Sequence, residues 1–549
     1  MLKSAAAKDS PRVIADWLRA QLPAGAQLSA DSRSVRVGDA FLAFPGLRED
    51  GRKYIAQALL NGAGAILWQR EVFNWPHLDE APQRSVSKLK SRAGAIAHEY
   101  YGQPSEQLDV IAVTGTNGKT STTQWLAAGY EADARKAAVI GTLGSGTFES
   151  GKTLGDASRS ATSSGGFSNG LVSFGLTTPD AISLHRILAQ FRDQSVRHVA
   201  LEASSIGLDQ GRLDGARVVA AVFTNLTHDH LDYHGDMQSY AKAKASLFAR
   251  PELQLAVVNG DDPASVVMLD ALHGPATETI SYGRSPGKHG TKARRHLIAE
   301  SIDAQVDGVR LRVGGDFGSA TIELGVLGEF NAFNILAVMA TWMGLGLGFD
   351  RACELASTLL PVRGRMEKVL SHDHGSGHGL GDRIDQGIDH RIDHSLLDPL
   401  VVVDYAHTPD ALDNALQSLR PIARARGGGL WCVFGAGGDR DPSKRPVMGR
   451  TVEALADHTV ITSDNPRGES AYKIIADIRS GLSKEPHLSE VDRALAIKRV
   501  LREAQPSDVV LIAGKGHEEY QEVAGQRLPF SDVEIARSAL LSRSGALRV

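Results

Sequence analysis

The stretch Ala112–Thr122, AVTGTNGKTST, decides the fold. It runs from an apolar, β-branched segment into a glycine-containing loop and on to STTQWLAAGYEA, a helix-forming stretch. The usual phosphate loop has Gly, four residues, then Gly-Lys-Ser/Thr. Gly118, Lys119 and Thr120 supply its end, but Val113 stands where the first glycine belongs and Gly115 comes two residues later. A strand before and a helix after place the loop at a helix N-terminus, where backbone N–H groups point at an anion. Gly115 and Gly118 let those groups approach phosphate oxygens. Lys119 reaches the terminal phosphates, and Thr120 can ligate magnesium. The competing reading is a helix start with coincidental glycines, and the strand–loop–helix context favours the phosphate loop.

Outward from this loop the pattern repeats. VIAVTGTNGKT, AAVIGTLG, HVALEASS, AAVFTNLTHDH and LAVVNGDDP are β-branched runs that each end in polar residues, with helical stretches between them. PLVVVDYAHTPDAL, LWCVFGAGGDRD, HTVITSDNPRGE and DVVLIAGKGHEEY do the same near the C-terminus. Strands alternating with helices predict parallel βαβ units, and such sheets bind ligands at the carboxyl ends of their strands. The first 108 residues form a smaller unit with GDAFLAFPG and GAGAILWQ as strands. The chain is therefore expected to be α/β with three domains, 1–108, 109–359 and 360–549; its 549 residues leave room for three or four at ~150 each. Residues 144–170, rich in Gly and Ser, and 371–394, rich in His, Asp and Gly, read as inserted surface loops. The second carries His372, His374, His378, His390 and His394, but without helix-face ligand spacing a solvated loop is the better reading than a metal site.

Composition excludes several classes. Apolar residues are 42% and charged residues 23%, ordinary for a globular protein, and the net charge of -4 offers no basic field to nucleic acid. Two cysteines, Cys353 and Cys432, far apart and in no CxxC pattern, argue against a disulfide framework and fit a reducing cytoplasm. No signal peptide is expected from MLKSAAAKDSPRVIADWL, and no apolar run approaches the ~18 residues of a membrane span. GAGGDR is not a dinucleotide fingerprint, because Arg440 takes the third glycine position.

The shortened loop VTGTNGKTST resembles that of the Mur ligases, the ATP-dependent amino-acid-adding enzymes of peptidoglycan synthesis. The resemblance spans about residues 28–535 through DSRSVRVGDAFLAFPG, DGRKYIAQAL, NLTHDHLDYHGDMQSYAKAK, DYAHTPDAL, GAGGDRDPSKRPVMG, DNPRGE and GKGHEEYQ, and it points to the diaminopimelate-adding members. It implies a small UDP-substrate domain, a central P-loop ATPase with a parallel sheet, and a C-terminal Rossmann-like domain. It further implies activation of a substrate carboxylate as an acyl phosphate by ATP and Mg2+, followed by attack of an amine, in a cytoplasmic monomer.

The resemblance also implies residue roles. Thr116, Asn117 and Ser121 join Gly115, Gly118, Lys119 and Thr120 around ATP, with Asn331 and Asn334 on the adenine side and Arg365, Asp404 and His407 from the C-terminal domain. Glu202 and His230 are implied metal ligands with Thr120, while His228 and His234 read as exposed or hydrogen-bonded. Lys244 is implied to be carbamylated by carbon dioxide and to face the metal as an anion; residue by residue, nothing separates it from Lys242. Ser32, Thr177, Thr178, Ser204, Gln210 and Arg212 are implied contacts of the UDP-muramoyl dipeptide, with Leu176 and Ile206 departing from the family pattern. Arg445, Asp464, Asn465, Pro466, Arg467, Gly514 and Glu518 are implied to bind diaminopimelate. Arg467 can grip a distal carboxylate bidentately and repel the bare ammonium of lysine. A lysine-adding or folylpolyglutamate-type ligase and a non-catalytic ATP-binding protein are the rival readings. The N-terminal unit and DNPR weigh against the first two, and Lys119, Glu202, His230 and Lys244 against the third.

Overall fold

The computed structural model describes residues 9–46, 49–75, 81–147, 175–289, 292–370 and 398–546. Three sheets organise it. The N-terminal sheet has β1 (Leu28–Ser29), β2 (Ala40–Ala43), β3 (Ala65–Gln69) and β4 (Gln83–Val86), all parallel and in that order. The central sheet holds β5 (Asp109–Thr114), β6 (Ala137–Gly141), β7 (Gly144–Thr147), β8 (His198–Glu202), β9 (Ala220–Phe223), β10 (Leu255–Asn259), β11 (Glu278–Gly283), β12 (Arg295–Ala304), β13 (Val309–Gly315) and β14 (Ala320–Leu324). Its order is β14-β13-β12-β11-β10-β9-β5-β8-β6-β7, which puts β5 and the loop after it between β9 and β8. The C-terminal sheet holds β15 (Glu367–Val369), β16 (Leu400–Asp404), β17 (Leu430–Phe434), β18 (His458–Thr462), β19 (Leu488–Glu490) and β20 (Val509–Ala513), in the order β15-β16-β20-β17-β18-β19. A hairpin of β21 (Tyr520–Val523) and β22 (Gln526–Pro529) follows.

The strands read as continuous apolar runs because both faces are covered. In β5, Ile111 and Val113 pack with Trp125 and Trp342 of helices Lys119–Ala132 and Glu329–Gly344. Val110 and Ala112 face the other way, onto Leu184 and Leu188 of helix Ala181–Asp193. The C-terminal sheet is sandwiched likewise, with helices Pro409–Arg426, Lys444–Leu455 and Ala471–Arg479 on one face and Arg493–Glu503 and Asp532–Ala546 on the other. All nine strand-and-polar motifs of the two larger units fall on parallel strands. The stretch 144–170, expected to be a loop, departs at its start: residues 144–147 form β7, antiparallel to β6. The remainder of that stretch and the histidine-rich stretch 371–394 lie outside the described residues.

Candidate active site

The loop after β5 closes on itself and on its neighbours. Gly118 has φ +86°, and a Cβ there would meet Asn334 Oδ1 at 2.3 Å, so the left-handed turn brings the loop against the start of helix Glu329–Gly344. Asn334 is tied to Asn331 (3.3 Å), whose Nδ2 donates to the Leu327 carbonyl at 2.8 Å. Lys119 Nζ donates to the carbonyls of Gly115 (2.9 Å) and Thr116 (2.8 Å). Asn117 N–H donates to Asn225 Oδ1 at 2.9 Å. Thr116 Oγ1 lies 3.1 Å from the Tyr240 hydroxyl, and Thr120 and Ser121 are buried in the first turn of the helix.

At the end of the neighbouring β8, Glu202 is buried to 1% exposure. Its Oε2 accepts from the hydroxyls of Thr120 and Thr142, both at 3.1 Å, and its Oε1 from the Thr142 amide at 2.8 Å. The adjoining strand makes room by having Gly141, where a Cβ would lie 2.2 Å from Oε1. A carboxylate and a hydroxyl side by side at a phosphate loop are hard oxygen donors of the kind magnesium takes together with phosphate oxygens. The Thr177–Thr178 pair is joined to this point: Thr177 Oγ1 accepts from Thr142 (3.1 Å) and Thr178 Oγ1 donates to the Glu202 carbonyl (2.7 Å). Ser204 caps the helix Ser205–Asp209 through the Gly207 amide and lies 3.0 Å from Thr178 Oγ1. Arg212 donates to the Thr178 carbonyl (2.7 Å) and to Gln210 Oε1 (2.8 Å). Of the two departures, Leu176 is exposed and Ile206 half-buried. Ser32 sits apart in the N-terminal unit, its carbonyl held by Asn61 at 2.8 Å; among the described residues no hydrogen bond links it to the Thr178 group.

A second cluster lies beyond β9. His230 takes φ 53° at the start of helix Leu231–His234, and its Nε2 faces Asp229 at 3.4 Å. Burial alone would raise the Asp229 carboxyl, but His230, His407, the His230 amide and Lys119 outweigh it and hold it below the usual range. The His230 side chain keeps 45% exposure; partial desolvation, opposed by Asp229 and helped by Lys119 and Lys244, lowers its imidazole. Lys242 and Lys244, equivalent in the sequence, separate here: Lys242 is exposed, whereas Lys244 is 1% exposed. Lys244 Nζ donates to the Gly115 carbonyl at 2.8 Å and lies 4.3 Å from the centre of the Tyr240 ring. Burial first, and Lys119 second, push its ammonium well below the ordinary lysine range. His228 is exposed, and His234 reaches Ser205 Oγ at 2.9 Å. Among the described residues no three His, Cys, Asp or Glu side chains converge as a ready-made metal cage.

The C-terminal sheet approaches the loop directly. Arg365 Nη2 donates to Thr120 Oγ1 at 3.2 Å, and Asp410 Oδ2 accepts from Asn117 Nδ2 (3.0 Å) and Thr227 Oγ1 (3.1 Å). The Asp404 carboxylate accepts the amides of Met366 and Ala406, both at 2.8 Å, so it ties the approach to β15 against the loop after β16. Burial pushes the His407 imidazole down to about 4, and Lys444 adds to the effect.

The ends of β18 and β20 carry a further cluster of polar and charged side chains. Asp464, Asn465 and Pro466 are buried there. Arg467, at φ 51°, donates from Nη1 to the Gly438 carbonyl (2.8 Å) and faces Glu522 at 3.4 Å. Asn465 Nδ2 donates to Glu518 Oε2 at 2.8 Å, and Gly514 abuts Asp464. Arg445 differs from its expected role. Its guanidinium is 1% exposed and is taken up by Glu469 (2.7 and 2.9 Å) and Asp477 (2.8 Å). Arg440 is the exposed arginine here, with Cγ and the Arg467 guanidinium both beside Gly437. Sequence reading also passed over Asp229, Asp410 and Lys515; a lysine between two glycines at a strand end was the available signal for Lys515.

Fold and site together define a P-loop α/β protein whose phosphate loop is met by a second parallel sheet carrying a charged cluster. The chain belongs to the Mur ligase family. Residues 26–101 match "Mur ligase family, catalytic domain", 113–342 match "Mur ligase middle domain", and 390–516 match "Mur ligase, glutamate ligase domain". The chain is 42% identical over 540 residues to the UDP-N-acetylmuramoyl-L-alanyl-D-glutamate–2,6-diaminopimelate ligase of Ralstonia nicotianae, covering 96% of each. It is 38% identical over 521 residues to the protein of the same name from Neisseria meningitidis, covering 95% of this chain and 96% of that one. A solved structure of a ligase with that name superposes with TM-score 0.60 at 33% identity over 94% of this chain and 95% of the other. MurF from Acinetobacter baumannii shares the fold at TM-score 0.60 and 18% identity, over 97% of this chain and 98% of the other.

Proposed function

We propose that this chain joins the amine of meso-2,6-diaminopimelate to the γ-carboxylate of D-glutamate in UDP-N-acetylmuramoyl-L-alanyl-D-glutamate, with ATP cleaved to ADP and phosphate, in peptidoglycan precursor synthesis. One observation carries the reading: a phosphate loop beside a buried carboxylate is tied, through Arg365 and Asp410, to a C-terminal unit whose strand ends carry both a cation, Arg467, and an anion, Glu518. Diaminopimelate has both a carboxylate and an ammonium at its distal end; lysine lacks the carboxylate.

Carboxylates resist amines because oxide is a poor leaving group. Transfer of the γ-phosphoryl group to the glutamyl oxygen breaks the bond to the ADP oxygen and gives an acyl phosphate. The amine attacks the acyl carbon, the C–O bond breaks, phosphate departs, and the amine loses a proton. Residues 115–121 hold the triphosphate, Lys119 turning from its own loop carbonyls to phosphate oxygens; Asn331 and Asn334 lie on the adenine side, with Arg365, Asp404 and His407 closing from the C-terminal sheet. Thr120, Glu202 and His230 would hold Mg2+, which would supply positive charge against the phosphates during transfer. Lys244 joins them as its carbamate: desolvation holds its buried amine well below the ordinary lysine range, so it gives up its proton more readily, and the neutral amine adds carbon dioxide, losing a further proton and becoming an anion. Ser32, Thr177, Thr178, Ser204, Gln210 and Arg212 hold the UDP-dipeptide. Asp464, Asn465, Pro466, Arg467, Gly514 and Glu518 hold diaminopimelate, with Arg440 in the place first given to Arg445. The assigned domains are 1–108, 109–359 and 360–549, in a cytoplasmic monomer; among the described residues no helix is long and apolar enough to cross a membrane.

Phosphate release from ATP and Mg2+ with the UDP-dipeptide and a panel of amino acids tests this. Release with diaminopimelate is expected. Strong release with lysine and none with diaminopimelate overturns the specificity, and no release under any condition overturns the ligase reading.

A further inference from the structure

Lys515 is 0% exposed, an uncommon setting for a lysine, and none of the roles above uses it. Its Nζ donates to Asn465 Oδ1 (3.0 Å) and to Glu518 Oε2 (3.0 Å), and it stands 3.8 Å from Asp464 Oδ1. The Tyr520 and Phe530 rings, 5.6 and 6.0 Å away, wall it in. Asn465 Oδ1 also accepts the Glu522 amide at 2.9 Å, so both its lone pairs are taken. The amide can therefore face only one way, with Nδ2 toward Glu518 Oε2 and one N–H to spare. Glu518 Oε2 receives both Asn465 and Lys515, while no described residue donates to its Oε1.

Charge points the same way. The Arg493 guanidinium behind the pocket is neutralised by Asp532 at 2.7 Å. Lys515 is then the cation in direct contact with two carboxylates, Asp464 and Glu518, while Arg493 and Lys444 act on them from further off. We infer that Lys515 is a positioning residue for amino-acid selection: it fixes Asn465 and Glu518 so that one N–H and one carboxylate oxygen remain for a ligand end bearing both carboxylate and ammonium. This rests on the proposed diaminopimelate pocket. Lysine offers the ammonium alone, leaving the spare N–H without a partner and Arg467 with only Gly438 and Glu522, a mismatch that buried polar sites penalise.

A double-mutant cycle with Lys515→Met and Glu518→Gln tests it, read as KM for diaminopimelate, KM for ATP, kcat and the melting temperature. Lys515→Met is expected to raise KM for diaminopimelate about tenfold or more, with KM for ATP within about twofold and the preference over lysine reduced. The double variant is expected to be worse than Glu518→Gln alone by less than the full effect of Lys515→Met, because Lys515 acts in part through Glu518. Lys515→Gln replaces Lys515→Met if that variant does not fold. A lowered melting temperature with unchanged KM for diaminopimelate, or effects that multiply in the double variant, overturns the inference. If Glu518→Gln itself leaves KM for diaminopimelate unchanged, the pocket assignment fails rather than the role of Lys515.

Discussion

Lys244 sets stability against function. Burial and the Lys119 charge lower its folded pKa, so between that value and the unfolded one of ~10.4 the unfolded chain binds more protons. Stability therefore rises with pH through this window, and near neutrality the lysine destabilises the fold. In carbon-dioxide-free buffer Lys244→Met is expected to stabilise by about 1 kcal/mol or more, seen as a higher melting temperature, while ligase activity falls at least about 100-fold. Retained activity removes the role assigned to its carbamate. Two arginines separate in the opposite sense. Arg467→Met is expected to cost about 2 kcal/mol of transition-state binding, roughly 30-fold in kcat/KM for diaminopimelate, with little change in melting temperature. Arg445→Met is expected to cost about 2 kcal/mol of stability and leave that KM within about twofold, because it strands Glu469 and Asp477 and touches no proposed ligand. These contrasts show where residue positions were legible. The phosphate loop and Glu202 follow strands directly, so strand-end logic placed them. Lys244 and Lys242 share a helix, and Arg445 and Arg440 share a loop-to-helix segment, so only burial and partners tell them apart.

Helices Leu89–Tyr100 and Ala181–Asp193 meet at a pair of histidines from the N-terminal and central units. His98 and His185 have ring centroids 5.1 Å apart; His98 Nδ1 lies 3.5 Å from Ser105 Oγ and His185 Nε2 lies 3.0 Å from the Asp214 carbonyl. Burial pushes His185 down to about 4 and lowers His98 as well. A folded histidine that resists protonation makes the unfolded state the better proton acceptor below pH ~6.5, so stability falls as pH drops from ~6.5 toward 4. Hydrogen exchange of these two helices is expected to quicken on acidification across that window, and His185→Gln to flatten the response. Equal acid sensitivity in that variant rules out the pair as its source. At this scale the parallel strands were legible because their apolar runs stop abruptly in polar motifs. The β12–β14 extension was not: its strands alternate, as in Arg310, Arg312, Thr321 and Glu323 outward against Leu311, Val313, Ile322 and Leu324 inward, and carry no strand-end motif.

For the whole molecule the question is what brings the two larger units together. Neither the phosphate loop nor the proposed amino-acid site completes a ligase alone, and between the two units polar bridges run beside an apolar contact in which Leu327 and Phe330 join the core of the C-terminal sheet. Asp410 takes two hydrogen bonds on one oxygen, from Asn117 in the loop and Thr227 beside the Asp229–His230 cluster, while Arg365 reaches Thr120. Sequence could place each motif at its own strand end, but the meeting of two sheets depends on contacts hundreds of residues apart, for which neither helical nor strand periodicity leaves a signal. On the proposed assignment of Arg365, Asp404 and His407 to the nucleotide, ATP on the loop adds contacts that exist only when the C-terminal unit is close, and the population is expected to shift toward the closed arrangement. Removing Asp410 takes away the two bonds at about 1 kcal/mol each. Asp410→Ala is thus expected to be less compact than the parent by small-angle scattering without ligand. With ATP analogue and UDP-dipeptide it closes incompletely, and KM for ATP rises up to about tenfold because the competent state is rarer. Asp410→Asn, which keeps an acceptor oxygen but loses the charge, is expected between the two. Scattering profiles and KM values indistinguishable among all three proteins mean that closure is held by other contacts and that Asp410 only decorates the interface.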